Sequence, residues 1–209
     1  MYTKKQQEII KYVRAKVLSH MGKNPVEGHG VDHAVRVATW AVQIAKKEKA
    51  NIFLCELAGL LHDVGRALEG SEAEGSLLNK RHHELSYEIC RDWFRNDEMF
   101  FELSKYEKLN LLYSIRYHWN NVADKYLEAI ILRDADKMDL FGKIGIERNE
   151  RFLNYDREKI MLQMRFRVDD MFWIRTKTAK YFFKKYKMFE PIFKYTIKKL
   201  KEDIESVEL

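Results

Sequence analysis

The sequence predicts an all-α protein, and three observations support this class. Apolar residues recur with the three- and four-residue spacing of an amphipathic helix along most of the 209-residue chain. No alternation of apolar and polar residues persists over the length of a strand. The chain contains only 2 prolines and 9 glycines, and it has no Gly/Ser-rich linker. We therefore expect a single helical domain over residues 1–209.

Eight helical stretches are predicted along the chain. Their approximate bounds are 3–20, 33–49, 52–64, 82–93, 105–118, 123–140, 156–187 and 191–206. The apolar face of the first is formed by Ile9, Ile10, Val13, Val17 and Leu18. Asp32 is expected to cap the second. The third is apolar almost throughout and is followed by Gly65, where we expect a positive φ at the helix end.

The later part of the chain predicts a surface segment followed by more helices. Residues 66–81 carry glycine and serine and are the candidate for a mobile lid that selects the substrate. The residues expected to face the core in the fifth and sixth stretches are Leu109, Leu112, Ile115, Leu127, Ile130, Ile131 and Leu132. Pro191 suits the first turn of the last helix.

Composition and charge favour a cytoplasmic protein that does not cross a membrane. Hydrophobic residues make up 46% and charged residues 33% of the chain, as in globular domains. The first residues lack the apolar segment of a signal peptide, and no run approaches the roughly 18 apolar residues of a membrane span. The net charge is +6, and Lys177, Lys180, Lys184 and Lys187 recur at helical spacing. Such lysines fit either nucleic-acid binding or a solvated helix surface, and we expect the second.

His62 and Asp63 stand at the end of the apolar stretch Ala58-Gly-Leu-Leu-His-Asp-Val-Gly65. Placing an imidazole and a carboxylate inside an apolar segment is costly unless both groups find partners. A divalent metal ion would remove that cost. The pair therefore predicts a metal site, and further ligands are expected elsewhere in the chain.

Other His and Asp residues lie near the ends of predicted helices. They are His33, His82, His83, His118, Asp134 and Asp136. A single His in such a position is more often a cap or a core residue than a ligand. The acidic cluster around Asp134 and Asp139 fits either a ligand-bearing or a solvated helix face. Because such residues recur at five of the first six helices, one shared site is favoured.

Three motifs, in this order, resemble those of the HD-domain metal-dependent phosphohydrolases. They are His33-Ala-Val-Arg-Val37, Leu60-Leu-His-Asp-Val-Gly65 and Asp134-Ala-Asp-Lys-Met-Asp139. The resemblance implies a helical bundle with a metal-binding core at about 29–146 and further helices at about 155–206. The metal ligands that it implies are His33, His62, Asp63 and Asp136.

Two further segments are similar to those that supply extra ligands in binuclear members. They are Arg81-His-His-Glu-Leu-Ser86 and Ser114-Ile-Arg-Tyr-His118. The small residue Ser86, four positions on, selects His82 over His83, so a two-metal site would add His82 and His118 and place Asp63 between the ions. Mixed His and carboxylate ligation suits Mn, Fe, Co, Ni or Zn better than Mg. We expect one or two such ions per chain.

The resemblance implies hydrolysis of a nucleotide or related phosphate ester or phosphoanhydride by attack of a metal-bound hydroxide. Phosphoryl transfer requires positive charge around the phosphate oxygens. Arg66 is expected beside the reacting phosphate, and Asp63 or Asp136 is expected to orient the water. His83 and Glu84 are candidates for donating a proton or for supporting a ligand. The substrate-binding candidates are Arg36, Lys80, Arg81 and Lys137. The alternative for Arg36 is a structural ion pair, and for Lys137 an exposed position.

Three other functions are compatible with the sequence. A metal-binding module could sense a nucleotide without turning it over, the basic C-terminal helices could bind nucleic acid, and an HD-type site could oxygenate its substrate. We expect a phosphorylated small molecule as the partner, rather than nucleic acid or a membrane. A homodimer is left open by the sequence.

Overall fold

The computed structural model describes residues 2–23, 28–68 and 81–205, and these ranges contain α-helices and 3-10 helices but no strand. The α-helices are α1 (Lys4–Met21), α2 (Val31–Glu48), α3 (Ile52–Leu61), α4 (His82–Asn96), α5 (Lys105–Arg116), α6 (Leu127–Met138), α7 (Gly142–Phe152), α8 (Arg157–Phe172), α9 (Lys177–Lys185) and α10 (Glu190–Glu205). Two short 3-10 helices cover Val64–Leu68 and Glu98–Glu102. The predicted all-α class is confirmed. None of the described helices has the length and apolar character that a membrane span requires.

The centre of the bundle is α3, which is buried continuously from Phe53 to Leu61. A helix that is apolar on all sides is expected in the interior, and α3 packs against α1, α2, α5 and α6. Asn51 begins it by accepting a hydrogen bond from the backbone N–H of Leu54 at 3.2 Å. Because α3 is central, the His62 side chain that follows it lies inside the protein.

Two glycines allow backbones to approach closely around the His62–Asp63 segment. A Cβ at Gly59 would lie 2.5 Å from the Cα of Ala38, so α2 and α3 cross in direct contact. A Cβ at Gly65 would lie 2.3 Å from the carbonyl oxygen of His82, so the 3-10 helix after Asp63 abuts α4. The prediction of a positive φ at Gly65 is wrong, since it is not among the positive-φ residues. The position needs glycine because there is no space for a side chain.

Several predicted details of the first helices are wrong. The helix α2 begins at Val31 with Gly30 as its N-cap, and Asp32 does not cap it. The carboxylate of Asp32 instead accepts a hydrogen bond from Arg36 at 2.7 Å. The helix α3 ends at Leu61, because the chain tightens into the 3-10 helix. Leu18 is 59% exposed and contributes little to the apolar face of α1.

The sixth predicted stretch starts too early, and some expected core residues face solvent. The helix α6 begins at Leu127, which is 40% exposed, and Leu109 on α5 is 51% exposed. On α5 the fully buried apolar residues are Leu111 and Ile115. Two residues span roughly 200° of a helix, so Leu109 points away from the side that Leu111 buries.

The predicted single stretch at 156–187 is wrong, because it is divided into α8 and α9. The buried carboxylate of Asp134 accepts hydrogen bonds from the backbone N–H groups of Arg175 at 2.9 Å and Thr176 at 2.7 Å. It also accepts one from the Thr176 hydroxyl at 2.7 Å. These bonds fix the break before α9. The helix α7 was not predicted, and most of the proposed lid, residues 69–80, lies outside the described residues.

Candidate metal centre

The structure brings the six predicted metal ligands together in two groups. One group contains His33, His62 and Asp136, and the other contains Asp63, His82 and His118. Within each group the possible ligand atoms lie within 4.8 Å of one another. Helices α2, α3 and α6 supply the first group. The second joins the residue after His62 to the start of α4 and the turn that follows α5.

The first group has the spacing of a coordination shell. The Nε2 atom of His33 lies 3.3 Å from the Nε2 atom of His62 and 3.3 Å from Oδ1 of Asp136. The Nε2 atom of His62 lies 3.8 Å from the same carboxylate oxygen. Ligand atoms bound at about 2.0–2.2 Å to one ion lie roughly 3–3.6 Å apart. The two separations of 3.3 Å suit a single divalent ion, and the separation of 3.8 Å is slightly longer.

Asp63 connects the two groups, because each of its carboxylate oxygens faces one of them. Its Oδ2 atom lies 3.7 Å from the Nε2 atoms of His33 and His62. Its Oδ1 atom lies 3.5 Å from Nε2 of His82 and 3.7 Å from Nε2 of His118. The Nε2 atoms of His82 and His118 are 3.2 Å apart. The carboxylate thus has the position of a bridging ligand.

Two histidines offer unprotonated nitrogens to the interior. Nδ1 of His62 is 2.8 Å from the carbonyl oxygen of Gly59, and Nδ1 of His118 is 2.7 Å from that of Ile115. We assign the proton of each ring to Nδ1, since a carbonyl can only accept, and this leaves a lone pair on Nε2. Burial lowers the pKa of His62 and lowers the pKa of His118 to about 3. Both rings are therefore neutral near neutral pH.

One acceptor in this centre lacks a protein donor. Oδ1 of Asp63 is buried and has no hydrogen-bond partner among the described residues. Burial opposes the ionisation of Asp63, but His62 and Arg66 hold its pKa well below its ordinary value. An ionised, buried oxygen facing neutral imidazole nitrogens is costly without a cation. These residues therefore fit a divalent metal.

Asp139 orients His33, which sequence reasoning did not foresee. It accepts a hydrogen bond from Nδ1 of His33 at 2.8 Å, from Nε of Arg36 at 2.8 Å and from Nη1 of Arg148 at 2.6 Å. Burial alone would lower the pKa of His33, but its hydrogen bonds with Asp136 and Asp139 raise it. A carboxylate on the second nitrogen of a metal-binding imidazole fixes its orientation.

Of the two side chains that sequence reasoning missed, Asp139 had a signal in the sequence and Arg148 did not. Asp139 follows Asp136 by three residues and so lies on the same side of the chain. Arg148 had no local signal, because it reaches Asp139 from a helix that was not predicted. The interpretation of Asp134 and Asp139 as a solvated face is wrong, since both are buried.

Among the predicted cations, Arg66 lies next to the centre. Its Nε atom is 3.4 Å from Oδ2 of Asp63, and its Nη2 atom is 3.4 Å from Nε2 of His82. Arg36 is paired with Asp139 and with Asp32, as the structural alternative predicted.

Of the remaining candidates, Lys137 and Arg81 lie within the described residues. Nζ of Lys137 is 2.7 Å from Oδ1 of Asp170, and its side chain is only 13% exposed, so it is ion-paired rather than exposed. Arg81 is exposed directly before α4, and Lys80 lies outside the described residues.

His83 is beside the centre without belonging to either group. It is buried, and its ring centre lies 5.4 Å from that of His82 and 5.2 Å from that of Trp119. Its Nδ1 atom is buried and has no hydrogen-bond partner among the described residues. The candidate ligand group contains His82 and not His83.

A known protein is similar to part of this chain. Ribonuclease Y from Petrotoga mobilis (strain DSM 10674 / SJ95) is 30% identical over 132 residues, which are 63% of this chain and 21% of that protein. The match thus spans about a fifth of the relative's length.

Solved structures match over nearly the whole chain. Bacillus subtilis YpgQ has a TM-score of 0.67 at 19% identity, covering 97% of this chain and 99% of YpgQ. YpgQ in complex with ADP has a TM-score of 0.60 at 20% identity, covering 98% and 100%. An HD-superfamily hydrolase from Bacillus thuringiensis has a TM-score of 0.59 at 23% identity, covering 96% and 97%. At these identities the likeness shows a shared fold.

The sequence pattern of the HD domain matches residues 30–140, which is more than half of the chain. This region includes every member of the two ligand groups. The chain therefore belongs to the HD domain family.

Proposed function

We propose that this protein is a metal-dependent phosphohydrolase that acts on a nucleotide or a related phosphorylated small molecule. The observation that carries the proposal is the position of Asp63 between two ligand groups, with one carboxylate oxygen toward each. Carboxylate-bridged pairs of metal ions are typical of enzymes that displace an oxygen at phosphorus in line. The HD-superfamily fold supports the same reaction class.

The ligand groups define which residues would hold metal. His33, His62 and Asp136 would hold one divalent ion, and His82 and His118 a second, with Asp63 shared between them. Mixed imidazole and carboxylate ligation favours Mn, Fe, Co, Ni or Zn. Such an ion lowers the pKa of a bound water and polarises a phosphoryl oxygen.

The protein groups around the ligands would stabilise the negative charge of the phosphoryl oxygens and supply a proton to the leaving oxygen. The guanidinium of Arg66 lies close to both Asp63 and His82, so it would neutralise phosphoryl oxygens. Asp63 would also orient the attacking water through its carboxylate. His83 is our candidate for the proton donor to the leaving oxygen, because its buried Nδ1 lacks a partner among the described residues.

The nucleotide part of the proposal rests on a separate observation. It is supported by the ADP complex of YpgQ, whose fold this chain shares.

The first experiment measures metal content and hydrolysis together. Protein purified without a chelator is analysed for metal per chain, then assayed against nucleoside mono-, di- and triphosphates. Asp63→Ala is expected to lose bound metal and more than about a hundredfold of the activity while its helical circular dichroism is retained. Asp124→Ala removes an exposed carboxylate away from the site and serves as the matched control.

Two outcomes would contradict the proposal. Full activity in Asp63→Ala would remove Asp63 from the mechanism. Tight nucleotide binding without turnover, with each of several metals, would favour the non-catalytic sensing module.

A second candidate substrate is RNA, and the observation that favours it is the 30% identity with ribonuclease Y. Release of short products from a labelled RNA, with no hydrolysis of mononucleotides, would support this alternative. The C-terminal lysines do not strengthen it. On α9 Phe182 is buried, and Phe183 packs against Phe141 with ring centres 4.6 Å apart, so these aromatic rings belong to the core.

A further inference from the structure

A small cavity beside the metal centre has no role in the proposed mechanism. It lies between α7 and α8 and has a volume of about 120 Å³. Its walls include His29, Arg148, Asn149, Phe152 and Arg167. The His29 ring also faces the His33 ring, with ring centres 5.8 Å apart. The cavity therefore adjoins the first ligand group.

Two hydrogen-bond donors, on side chains that line the cavity, have no partner among the described residues. They are Nδ2 of Asn149 and Nε of Arg167. The two residues are 7% and 8% exposed, so bulk water does not solvate these nitrogens freely. A buried donor without an acceptor costs about 1–3 kcal/mol, and more when it is charged. Two such donors around one cavity indicate a ligand that supplies acceptors.

The charge of the cavity wall indicates that this ligand is an anion. Two arginines line the cavity, and none of the described lining residues is acidic. Arg148 is already neutralised, since it donates to Asp139 at 2.6 Å and to the carbonyl oxygen of Gly28 at 2.6 Å. Arg167 shares Asp170 with Lys137, at 3.0 Å and 2.7 Å respectively. One carboxylate thus serves two cations, which leaves net positive charge near Arg167.

The size of the cavity limits the ligand to a small group. Its volume is about four times the roughly 30 Å³ that a water molecule occupies in the liquid. That is enough for a single tetrahedral oxyanion and too little for a nucleobase with its ribose. The donors of Asn149 and Arg167 match phosphate oxygens, which accept several hydrogen bonds at once.

We propose that this cavity is an oxyanion subsite that binds a phosphate-sized group through Asn149 and Arg167. The group is either a second phosphoryl group of the substrate or free phosphate. Only the first of these sources rests on the proposed function, since free phosphate can occupy the subsite whether or not the protein is a hydrolase.

Binding of inorganic phosphate to protein stripped of metal with a chelator tests the subsite without the metal centre. Calorimetry is expected to detect one phosphate per chain. Asn149→Leu and Arg167→Met are each expected to weaken its binding by about tenfold or more. Arg165→Met removes the same charge from an exposed position on α8, and its affinity is expected to equal that of the wild type.

The variants overturn the subsite if both are folded by circular dichroism and bind phosphate as tightly as the wild type. Absence of phosphate binding to the stripped wild-type protein at millimolar concentration would overturn it as well. If only one variant folds, that variant decides the result.

Kinetics of the metal-loaded protein distinguish the two sources of phosphate. If the substrate fills the subsite, Asn149→Leu raises KM for a nucleoside diphosphate about tenfold and leaves KM for the monophosphate unchanged. If free phosphate fills it, both KM values stay constant and inhibition by added phosphate is weakened. Loss of all hydrolysis would refute the proposed function, while the binding result would still decide the subsite.

Discussion

At the scale of single residues, Asp139 is the side chain on which the position of His33 depends. It receives hydrogen bonds from one imidazole and two guanidinium groups in the interior. Buried carboxylates of this kind hold a ligand imidazole in one tautomer and one orientation. His33 and the carboxylate that orients it therefore form one hydrogen-bonded unit.

Asp139→Asn is expected to weaken metal binding by about 10–100-fold without removing a ligand. The amide keeps the shape of the carboxylate but loses the charge that pairs with Arg36 and Arg148. Competition against a chromophoric chelator measures the affinity. Asp32→Asn is the control, because Asp32 also pairs with Arg36 but is mostly exposed. Equal affinities in the two variants would show that Asp139 does not tune His33.

The sequence predicted the candidate ligands more readily than the side chains that support them. The adjacent pair His62-Asp63 was conspicuous because polar residues at the end of an apolar helix need partners. Arg148 could not be found in this way, since its contact with Asp139 depends on how α7 folds back on α6. The unpartnered nitrogen atoms of Asn149 and Arg167 are likewise visible only in three dimensions.

At the scale of helices, Asp97 joins α1 to the end of α4. It accepts hydrogen bonds from Nζ of Lys16 at 2.7 Å, from the Tyr12 hydroxyl at 2.6 Å and from the N–H of Met99 at 3.1 Å. Burial would raise the pKa of Asp97, but the hydrogen bonds from Lys16 and Tyr12 outweigh it and lower that pKa. The ionised carboxylate therefore stabilises the folded state.

Asp97→Asn is expected to lower the free energy of unfolding by about 1 kcal/mol at neutral pH. A lowered carboxyl pKa contributes stability that is complete above the unfolded value near 3.9 and is lost as the pH falls through the folded value. The difference between wild type and variant should thus be constant from pH 7 to about 4 and shrink below that. Urea titrations across this range measure it, with Asp92→Asn as the exposed control. A difference that persists undiminished at pH 2 would contradict the assignment.

Helix ends were predicted less well than helix interiors, for identifiable reasons. Apolar periodicity located α1 to α6, but it cannot reveal the break that Asp134 imposes before α9 from 41 residues away. Apolar periodicity also predicted wrongly that Leu109 faces the core, because the leucines of α5 form two helix faces of similar apolarity. The position of Gly65 shortly after His62-Asp63 led us to predict a positive φ there, and that reason was wrong. The position requires glycine because the His82 backbone lies too close for a side chain.

At the scale of the whole molecule, the chain has a dense bundle and a looser C-terminal group. The helix α3 is surrounded by α1, α2, α5 and α6, whereas α10 packs chiefly on α7 and α8. Apolar residues are exposed on the C-terminal group, including Phe172 at 74% and Ile204 at 73%. Its helices are therefore held by less buried surface than the metal-binding bundle.

Native-state hydrogen exchange should reflect this difference. Amides of α2 and α3 are expected to exchange only through global unfolding, while those of α8 and α10 open locally at lower free energy. Exchange followed by mass spectrometry without denaturant, at one pH and temperature, compares the groups within a single sample. Equal protection of α3 and α10 would mean that the molecule unfolds as one cooperative unit.

The two ligand groups also differ in their order along the chain. A ribosome has added every member of the second group once it reaches His118, whereas the first group waits for Asp136. The nascent chain would therefore contain the three candidate ligands of the second group before Asp136, the member of the first group on α6, has been added. If each group holds an ion, the second site could form before the first, and Asp63, which is synthesised early, would be present when either site is completed.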